Sequence, residues 1–421
     1  MTITVVGAGK MGLPLACAFA SNGANVIVCD VDEQRVSTIN SGVCPFDEPG
    51  VDELLTEAVQ RGLLKAATDT GSAMASSDVV VVIVPVMLSD SREADLSIID
   101  SVAEIAAAHL RPGSMISFET TLPVGGTRRL GHMIDRGGMK AGTDYDLVFS
   151  PERVKSRYVL KHLFDNPKVV GGITAASAAR GAEFYEKYLG APVVNVGTLE
   201  AAELVKLAGM IYRDVNIALA NELAFFAECL GLDFESVRSA ANTDGEAALL
   251  LPGIGVGGHC TPVYPYFLIN EARLRGIEVE LAEVARKINN AQPRKVLNKL
   301  GDVRGKKCLI LGVSFRPQVK ESAYSPVFAL ATELEIRGAV VSVHDPLYSD
   351  EEILGLGLTP GRMDDAEILV LNTAHDSYLD LDFPNLAAKG VRCVVDGRNV
   401  WDPDAVSGAR IRYIGVGRTS R

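Results

Sequence analysis

Short apolar runs alternate with amphipathic stretches through the first half of the chain. The apolar runs have the length and the valine and isoleucine content of buried strands, whereas the stretches between them place apolar residues at helical spacing. Strands and helices in alternation predict a parallel sheet with helices on both faces. The predicted strands are residues 3–9, 25–30, 78–86, 114–121 and 144–151, and 168–172 and 192–197 extend the unit to about residue 197.

The pattern changes at Leu199, where one uninterrupted helical stretch begins and runs to Leu230. Gly231 follows it and is the residue type that commonly ends a helix. At 1.5 Å per residue the helix would be roughly 45 Å long, more than one small domain needs. Helices of this length often join domains or pack against a second subunit, so we expect a homodimer.

Strand and helix alternation restarts near residue 306, after further helical sequence. The sequence therefore predicts an α/β fold with two Rossmann-like doubly wound parallel-sheet domains, joined by a central helical domain that contains one long helix. The predicted strands of the second α/β domain are residues 306–315, 339–346, 367–375 and 391–397, and the expected domains are residues 1–198, 199–300 and 301–421.

Composition and charge exclude several classes of protein. With 421 residues, 48% hydrophobic and 22% charged, the chain has the make-up of a globular protein of more than one domain. A net charge of −12 and the absence of Lys/Arg runs argue against nucleic acid as a partner. The longest apolar run, Val79 to Leu88, contains Pro85 and is half as long as a membrane-spanning helix, so we interpret it as a buried strand and expect no membrane contact.

Cysteine usage and the first residues indicate a reducing compartment. The seven cysteines show neither a CxxC pair nor a metal-binding spacing, so we predict free thiols and no metal. Four of them lie in apolar periodic segments and are predicted to be buried: Cys17, Cys229, Cys308 and Cys393. No basic segment precedes the glycine loop near the first residue, so we expect no cleaved signal and a cytoplasmic protein.

A dinucleotide-binding fingerprint, Gly7-Ala8-Gly9-Lys10-Met11-Gly12, connects the first strand to the first helix. The first glycine makes the tight turn, the second admits a pyrophosphate and the third allows close helix packing. Asp30 ends the next strand, where it would bind the ribose hydroxyls and repel a 2′-phosphate, so the predicted cofactor is NAD. Arg35 could stack on adenine, pair with Asp32 or be a solvated arginine.

Four of six residues are glycine from Gly253 to Gly258, just before Cys260. A turn needs one or two glycines, so this density predicts that another group approaches the backbone closely. A helix is predicted shortly after Cys260, and exposed N–H groups at a helix start stabilise a thiolate. We interpret Cys260 as a nucleophile, and a buried structural cysteine is the alternative.

Five stretches of the sequence, in this order, resemble the UDP-glucose/GDP-mannose dehydrogenase family: the glycine fingerprint, "ETTLPVGGTRR", "FSPERV", "AELVKLAGMIYRDVNIALANELA" and "GIGVGGHCTPVYPYF". The resemblance covers nearly the whole chain, and "PERV" is more similar to the acetamido-hexose branch. It implies oxidation of the C6 hydroxyl of a UDP- or dTDP-linked hexose or N-acetylhexosamine to a uronic acid with two NAD.

The resemblance also implies roles for individual residues. Cys260 would be the nucleophile, Lys206 would stabilise an oxyanion or transfer a proton, Thr121 would hold the catalytic water and Glu152 would serve in acid-base chemistry. Residues expected to bind NAD are Gly7, Gly9, Lys10, Met11, Gly12, Asp30, Arg35, Pro85 and Thr121. Residues expected to bind the nucleotide-diphospho-sugar are Glu152, Arg153, Val154, Lys206, Gly253, Gly255, Gly257, Tyr264, Phe315 and Arg316.

Each of these roles has a structural alternative. Glu203 could form a merely structural pair with Lys206, Thr121 could be a turn residue, Glu152 a solvated glutamate, and Arg316 part of a surface salt bridge. The sequence also departs from the family at Met210 and Tyr264, where Asn and Asp are usual. These departures motivate one rival, a nucleotide-sugar-binding sensor without turnover. A second rival is a two-electron β-hydroxyacid-type dehydrogenase, which shares the N-terminal domain and a helical middle but would not need Cys260 or the second α/β domain.

Overall fold

The computed structural model describes residues 1–418, which form two compact units. The first unit comprises Met1–Gly209 and Tyr266–Gly276, and the second comprises Met210–Pro265 and the chain from Ile277 onward. The expected three-domain division at residues 198 and 300 stays a prediction. Each unit contains one large sheet and its own hydrophobic core, so each is described by itself.

The first unit is built on a sheet of eight strands. The strands of this unit are β1 (Thr2–Val6), β2 (Asn25–Cys29), β3 (Leu64–Ala67), β4 (Val79–Val82), β5 (Met87–Leu88), β6 (Ala94–Asp95), β7 (Met115–Phe118), β8 (Asp146–Phe149), β9 (Lys168–Gly172) and β10 (Val193–Thr198). The order in the sheet is β10-β9-β8-β7-β4-β1-β2-β3, and β5 pairs with β6 in a separate hairpin. The order reverses beside β1, so the glycine loop lies at the topological switch point where such sheets bind ligands.

The sheet differs from the prediction in three respects. Strands β8 and β9 pair antiparallel, so the sheet is mixed, and β3 escaped the apolar pattern because it is short. The apolar run Val79 to Leu88 is not one strand, since β4 ends at Val82 and β5 turns back to pair with β6. Pro85 has no N–H for a ladder, and the Val84 carbonyl accepts the Thr120 hydroxyl at 2.7 Å instead.

Helices cover this sheet as the alternation predicts. They are α1 (Gly12–Ser21), α2 (Glu33–Asn40), α3 (Val51–Gln60), α4 (Thr70–Ala75), α5 (Ser97–His109), α6 (Gly126–Ile134), α7 (Val159–Asp165) and α8 (Ala175–Leu189), with a 3-10 turn at Asp135–Gly137. Helix α1 is buried from Gly12 to Ala20, because its alanines and glycine leave room for the sheet and for neighbouring helices.

The long helix is confirmed as α9 (Leu199–Cys229), which has 31 residues. Gly231 follows it with φ of +70°, in the left-handed conformation of a helix end. The chain passes between the two units within α9, within α11 (Tyr264–Leu274) and again after Gly276. Cys17, Cys308 and Cys393 are buried as predicted, but Cys229 is exposed at the last position of α9, so that prediction is wrong.

The second unit contains a five-stranded parallel sheet in the order β12-β11-β13-β14-β15, with β11 (Lys307–Leu311), β12 (Val340–His344), β13 (Ile368–Leu371), β14 (Cys393–Asp396) and β15 (Arg412–Ile414). Its helices are α10 (Phe234–Ala241), α12 (Glu280–Leu297), α13 (Pro326–Ile336), α14 (Asp350–Gly355), α15 (Phe383–Lys389) and α16 (Pro403–Gly408), with 3-10 turns at Asn298–Leu300, Met363–Asp365 and Asp376–Tyr378. Four strands match the predicted ones, and β15 is an additional edge strand. Together, the two sheets confirm an α/β fold with two Rossmann-like domains.

Within residues 1–418, no helix combines the length and the apolar character that crossing a membrane requires.

Candidate functional site

The glycine loop of the first unit is shaped for a dinucleotide. Gly7 has φ of +107°, and a methyl group there would lie 2.7 Å from the Ile83 carbonyl oxygen. A methyl group on Gly12 would overlap the Gly7 carbonyl, so the loop and the helix need both glycines. Gly9 instead faces open space, and no side chain of the described residues caps the N-terminus of α1. The open space and the N–H groups at the helix start fit the pyrophosphate of NAD.

Asp30 is held at the edge of this loop. Its Oδ2 accepts the Ala8 N–H at 3.0 Å and its Oδ1 accepts the Asp32 N–H at 3.1 Å. Burial opposes ionisation of Asp30, but these bonds and the one from Arg35 outweigh it and lower its pKa. A carboxylate keeps further acceptor sites for two ribose hydroxyls, so Asp30 fits the role predicted for it.

Arg35 pairs with acids rather than standing free in solvent. Its Nη1 lies 2.9 Å from Asp30 Oδ2, and its Nη2 lies 3.7 Å from Asp32 Oδ2. Both contacts leave the guanidinium beside Asp30, the acid that is predicted to bind the ribose. Lys10 and Met11 are half-buried at the start of α1, and Pro85 is exposed just after β4. Their roles in binding NAD stay predictions.

A second group of predicted residues lies at the ends of β7 and β8, in the same unit. Thr121 is buried in the loop after β7, and Glu152 follows β8. The ammonium of Lys206, on α9, is 3.8 Å from Glu152 Oε2 and also donates to the Glu152 carbonyl oxygen. The Lys206 side chain is only 5% exposed, so a buried cation and a carboxylate meet beside the NAD-binding sheet.

Neighbours of Glu152 take other directions. Arg153 is exposed, and its guanidinium donates to the Pro167 carbonyl. The Val154 side chain packs against the core of the first unit, while its N–H donates to the Glu152 carboxylate. In the described structure, therefore, the Val154 side chain is part of the core and the Arg153 guanidinium is hydrogen-bonded to a backbone carbonyl. The predicted role of either residue in binding the sugar is not tested.

Glu203 does not act as the partner of Lys206 that the spacing allowed. Its Oε2 accepts the Gly125 N–H at 2.6 Å and its Oε1 accepts the Thr127 N–H at 2.7 Å. Burial raises the pKa of Glu203 to about 7, against the opposing effect of these hydrogen bonds. The three-residue spacing to Lys206 was a correct observation, but it could not reveal that α6 supplies the donors.

The sequence reasoning missed a buried ion pair beneath the Thr121 loop. Glu119 directly follows β7, and its Oε2 lies 2.5 Å from the ammonium of Lys168. The hydroxyl of Tyr185 donates to its other oxygen at 2.7 Å. The Glu119 carbonyl also accepts the Glu152 N–H at 3.2 Å. An acid immediately after an apolar strand was the one sequence signal that could have indicated this residue.

The second unit explains the glycine-rich loop before Cys260. A methyl group on Gly257 would lie 2.5 Å from Phe315 Cβ, and one on Gly258 would lie 2.9 Å from the Phe315 ring. A methyl group on Gly255 would lie 2.9 Å from Pro326. The close approach predicted from the sequence is therefore made by protein side chains, which press the loop against the segment after β11.

Hydrogen bonds anchor both ends of this loop. The Gly253 N–H donates to the Asn221 side chain at 3.0 Å, and the Gly258 N–H donates to the Ala323 carbonyl at 2.9 Å. The Cys260 carbonyl accepts the Tyr264 N–H at 2.9 Å, so Cys260 lies in the turn that starts α11. Cys260 is half-buried, and Tyr264 is the first helical residue. This position fits a thiol next to a helix N-terminus.

Two arginines lie at the carboxyl edge of the second sheet. The Arg316 guanidinium lies 5.9 Å from the ring centroid of Phe315. Arg398, after β14, was missed, although it also follows a strand end. Its Nε donates to the Asn372 carbonyl at 2.5 Å, and among the described residues its buried Nη2 has no hydrogen-bond partner. A buried guanidinium that keeps an unused donor can pair with a phosphate.

The second sheet repeats the geometry of the first at its own glycine loop. Gly312 has φ of +100°, and the Val313 N–H donates to Asp345 Oδ2 at 2.7 Å, as Ala8 does to Asp30. Asp345 is fully buried, however, and His375 Nε2 lies 3.2 Å from the same oxygen. The acid of this domain is therefore enclosed by protein groups, so it is not a second ribose site.

The predicted site residues fall into both units. Thr121, Glu152 and Lys206 share the first unit with the glycine fingerprint, whereas Cys260 lies in the second unit. Gly253, Gly255, Gly257, Tyr264, Phe315 and Arg316 also belong to the second unit. Their assembly into one catalytic site stays a prediction.

Three family models match the chain. In the UDP-glucose/GDP-mannose dehydrogenase family, the NAD binding domain matches residues 1–189, the central domain matches residues 200–291 and the UDP binding domain matches residues 309–403.

Full-length relatives are similar along the whole chain. An NDP-N-acetyl-D-galactosaminuronic acid dehydrogenase of Ralstonia nicotianae is 31% identical over 426 residues, covering 96% of this chain and 97% of the relative. A UDP-N-acetyl-D-mannosamine dehydrogenase of Pyrococcus horikoshii is 29% identical and covers 99% of both chains. The solved structure of a UDP-D-ManNAc dehydrogenase from Pyrococcus horikoshii superposes with a TM-score of 0.91 at 28% identity, over 100% of both chains.

Proposed function

The chain belongs to the UDP-glucose/GDP-mannose dehydrogenase family of NAD-dependent oxidoreductases, and on that premise we propose that it oxidises the C6 hydroxyl of a UDP-N-acetylhexosamine to the carboxylate. The acetamido sugar is supported by the names of the relatives, which act on N-acetylated hexose derivatives. The nucleotide is supported by the match to the UDP binding domain. The uronic acid product would serve the synthesis of polysaccharides.

The observation that carries the proposal is the buried contact between Lys206 and Glu152 at the edge of the NAD-binding sheet. A lysine side chain this buried is costly unless it has a task or a partner. Here the carboxylate and the carbonyl of Glu152 orient the Lys206 ammonium at the edge of the sheet that carries the glycine fingerprint. Such a cation stabilises the negative charge that develops on a sugar oxygen during oxidation.

The proposed reaction removes four electrons in two stages. NAD, when bound, accepts one hydride in each stage, so two NAD molecules are reduced for each sugar. In the first stage the C6 hydroxyl proton passes to a water held by Thr121, with the Lys206 ammonium stabilising the oxyanion, or to Lys206 itself in its neutral amine form. Loss of that proton and of a hydride turns the alcohol into an aldehyde. Cys260 then adds to the aldehyde carbon and gives a thiohemiacetal.

The second stage converts the sugar carbon to an acid without releasing the aldehyde. The thiohemiacetal loses its hydroxyl proton and a hydride, which leaves a thioester on Cys260. In this proposal Glu152 acts as the base that assists water in hydrolysing the thioester, and Thr121 holds that water. Hydrolysis releases the carboxylate and restores the thiol. These roles rest on the family motifs and on the local geometry of each unit.

A panel of nucleotide sugars tests the proposal. Purified protein is mixed with NAD and UDP-N-acetylmannosamine, UDP-N-acetylglucosamine, UDP-N-acetylgalactosamine, UDP-glucose or dTDP-glucose, and NADH absorbance and product mass are recorded. We expect two NADH per sugar and a product carrying a carboxylate with an N-acetylated substrate. One NADH per sugar would support the two-electron dehydrogenase, and no NADH with any sugar would support the sensor.

Replacement of the nucleophile separates covalent catalysis from the other steps. Cys260→Ser keeps a similar volume but is a far weaker nucleophile, so we expect NAD binding to be unchanged and acid formation to fall by at least about 10³-fold. Acid production at the wild-type rate would contradict the covalent mechanism.

We also propose that α9 pairs with a second copy of the chain. Tyr212, Leu219 and Phe226 are exposed at seven-residue intervals, so they form one apolar stripe on this helix. Phe226→Glu would place a charge in this stripe, and light scattering should then detect a monomer in place of a dimer. Leu281→Glu changes an exposed leucine outside the stripe and should leave the mass unchanged. A monomeric wild-type protein would overturn the proposal.

A further inference from the structure

Three charged side chains at three-residue intervals on α9 reach toward loops of the first unit. Glu200 accepts from Arg128 Nε at 2.6 Å and from Arg128 Nη2 at 3.2 Å, which is a bidentate pair at the surface. Lys206 contacts Glu152, as described above. Glu203 lies between them and is fully buried. Side chains three residues apart are neighbours on a helix, so Glu203 lies between a residue that contacts α6 and one that contacts the segment after β8.

Glu203 caps a helix to which it does not belong. Helix α6 starts after Gly125, which has φ of +92° and no side chain that could cap the helix. The first N–H groups of a helix lack intrahelical partners and attract negative charge. Both oxygens of Glu203 meet this need, one at the Gly125 N–H and one at the Thr127 N–H. The cap is therefore bidentate and comes from α9.

The capped helix start is also the end of the loop that carries Thr121. This loop leaves β7 at Glu119 and enters α6 at Gly126. Its beginning is fixed by the buried contact of Glu119 with Lys168, and its end is fixed by Glu203. Lys206 follows Glu203 by less than one turn of α9. Glu203 thus connects the loop bearing Thr121 to the helix bearing Lys206.

We propose that Glu203 is a positioning residue whose carboxylate holds the Thr121 loop in register with Lys206. The role rests on the proposed function, in which Thr121 and Lys206 act on the same sugar carbon. Both oxygens of Glu203 are engaged by backbone N–H groups, so it acts through the loop rather than on the substrate. A displacement of about 1 Å between groups that must cooperate costs on the order of 10²-fold in rate.

Glu203→Gln tests the role with little change of shape. A glutamine offers one acceptor oxygen, so its NH₂ group would face one of the two backbone donors and release that part of the loop. We expect kcat on the nucleotide sugar to fall about 10- to 100-fold. The Kd for NAD should change much less, because the glycine loop and Asp30 are held by contacts that include neither Gly125 nor Thr127.

Glu200→Gln is the matched control. It lies one turn earlier on α9, loses a charged pair with the same helix α6 and does not contact the Thr121 loop. We expect its kcat to stay within about twofold of wild type. Equal losses of kcat in the two variants, or no loss in Glu203→Gln, would overturn the proposal. If Glu203→Gln does not fold, Glu203→Asp, which keeps both acceptor oxygens on a shorter chain, carries the same comparison.

Amide hydrogen exchange tests the loop independently of turnover. In Glu203→Gln, exchange across residues 119–127 should accelerate at least about tenfold, and in Glu200→Gln it should match wild type. Unchanged exchange in Glu203→Gln would overturn the positioning role even if activity fell. A wild-type protein that oxidises none of the sugars would refute the proposed function, whereas the exchange result would still decide whether Glu203 holds the loop.

Discussion

Replacing Asp30 by asparagine is expected to weaken NAD binding and relax the preference for NAD over NADP. The Asp30 side chain is 9% exposed. Burial opposes its charge, but three hydrogen bonds stabilise the carboxylate and lower its pKa below the ordinary value. An asparagine side chain at this position would keep the shape and one acceptor oxygen but would lose the charge. The change therefore removes the charge that ribose recognition requires, and the asparagine NH₂ group also faces one of the two backbone N–H groups that Asp30 accepts.

The magnitude follows from the hydrogen bonds that Asp30 would form. A hydrogen bond to a charged group contributes about 1.5–3 kcal/mol, which corresponds to roughly 10- to 150-fold in Kd. We expect the Kd for NAD to rise within that range. The Kd for NADP should fall, because the carboxylate no longer repels a phosphate that carries a charge of roughly −1.5 to −2.

Isothermal titration of NAD and NADP into the wild type and the variants measures both effects. Asp32→Asn is the control, since Asp32 is 46% exposed and accepts the Arg35 N–H as the cap of α2. Asparagine caps a helix as well as aspartate does, so NAD binding should hardly change. An Asp30→Asn protein that binds NAD within twofold of wild type and still rejects NADP would refute the assignment of this acid.

Three further predictions concern stability and the loop before Cys260. Burial raises the pKa of Glu203 from 4.5 to about 7, so between these pH values the folded state retains a proton that the unfolded chain has lost. The free energy of unfolding should therefore fall by about 3 kcal/mol as pH rises from 4.5 to 7. Thermal unfolding of Glu203→Gln measured against pH should lack this fall, and a pH dependence identical to that of the wild type would contradict the prediction. Lys168→Met leaves the buried Glu119 carboxyl without its cation, so denaturant unfolding should show a loss of about 3–5 kcal/mol. Lys168→Met/Glu119→Gln should restore part of this loss, and an equally unstable double variant would argue against the ion pair. Gly257→Ala places a methyl group 2.5 Å from Phe315 Cβ, so kcat should fall at least about tenfold at unchanged Kd for NAD, and normal turnover would show that the loop tolerates movement.

Local patterns predicted the α/β fold and NAD as the cofactor. The strand, the glycine loop, the helix and Asp30 all lie within the first thirty residues, so their spacing reflects direct contacts along the chain. The alternation of strands and helices likewise specified two α/β domains and the long helix α9. Periodicity reports which side of an element is buried, but not the direction of a strand. For this reason the antiparallel pairing of β8 and β9 was not predicted.

The catalytic candidates were identified by type and motif, whereas their partners were not. Glu203 finds its donors 76 and 78 residues away, and Lys168 finds Glu119 at a separation of 49 residues. No spacing along the chain encodes such contacts, because the carboxyl ends of parallel strands meet only after the helices between them have folded back.

Sequence alone therefore determined most of the elements, the domain that binds the dinucleotide and which side chains carry reactive groups, since these depend on short stretches of backbone and on residue chemistry. Only the tertiary structure decided that Glu203 caps α6, that Lys206 contacts Glu152 and that Phe315 fills the space left by the glycines. Each of these choices depends on burial, because a charge or a backbone N–H removed from water binds whichever partner the packed sheet edge brings within reach.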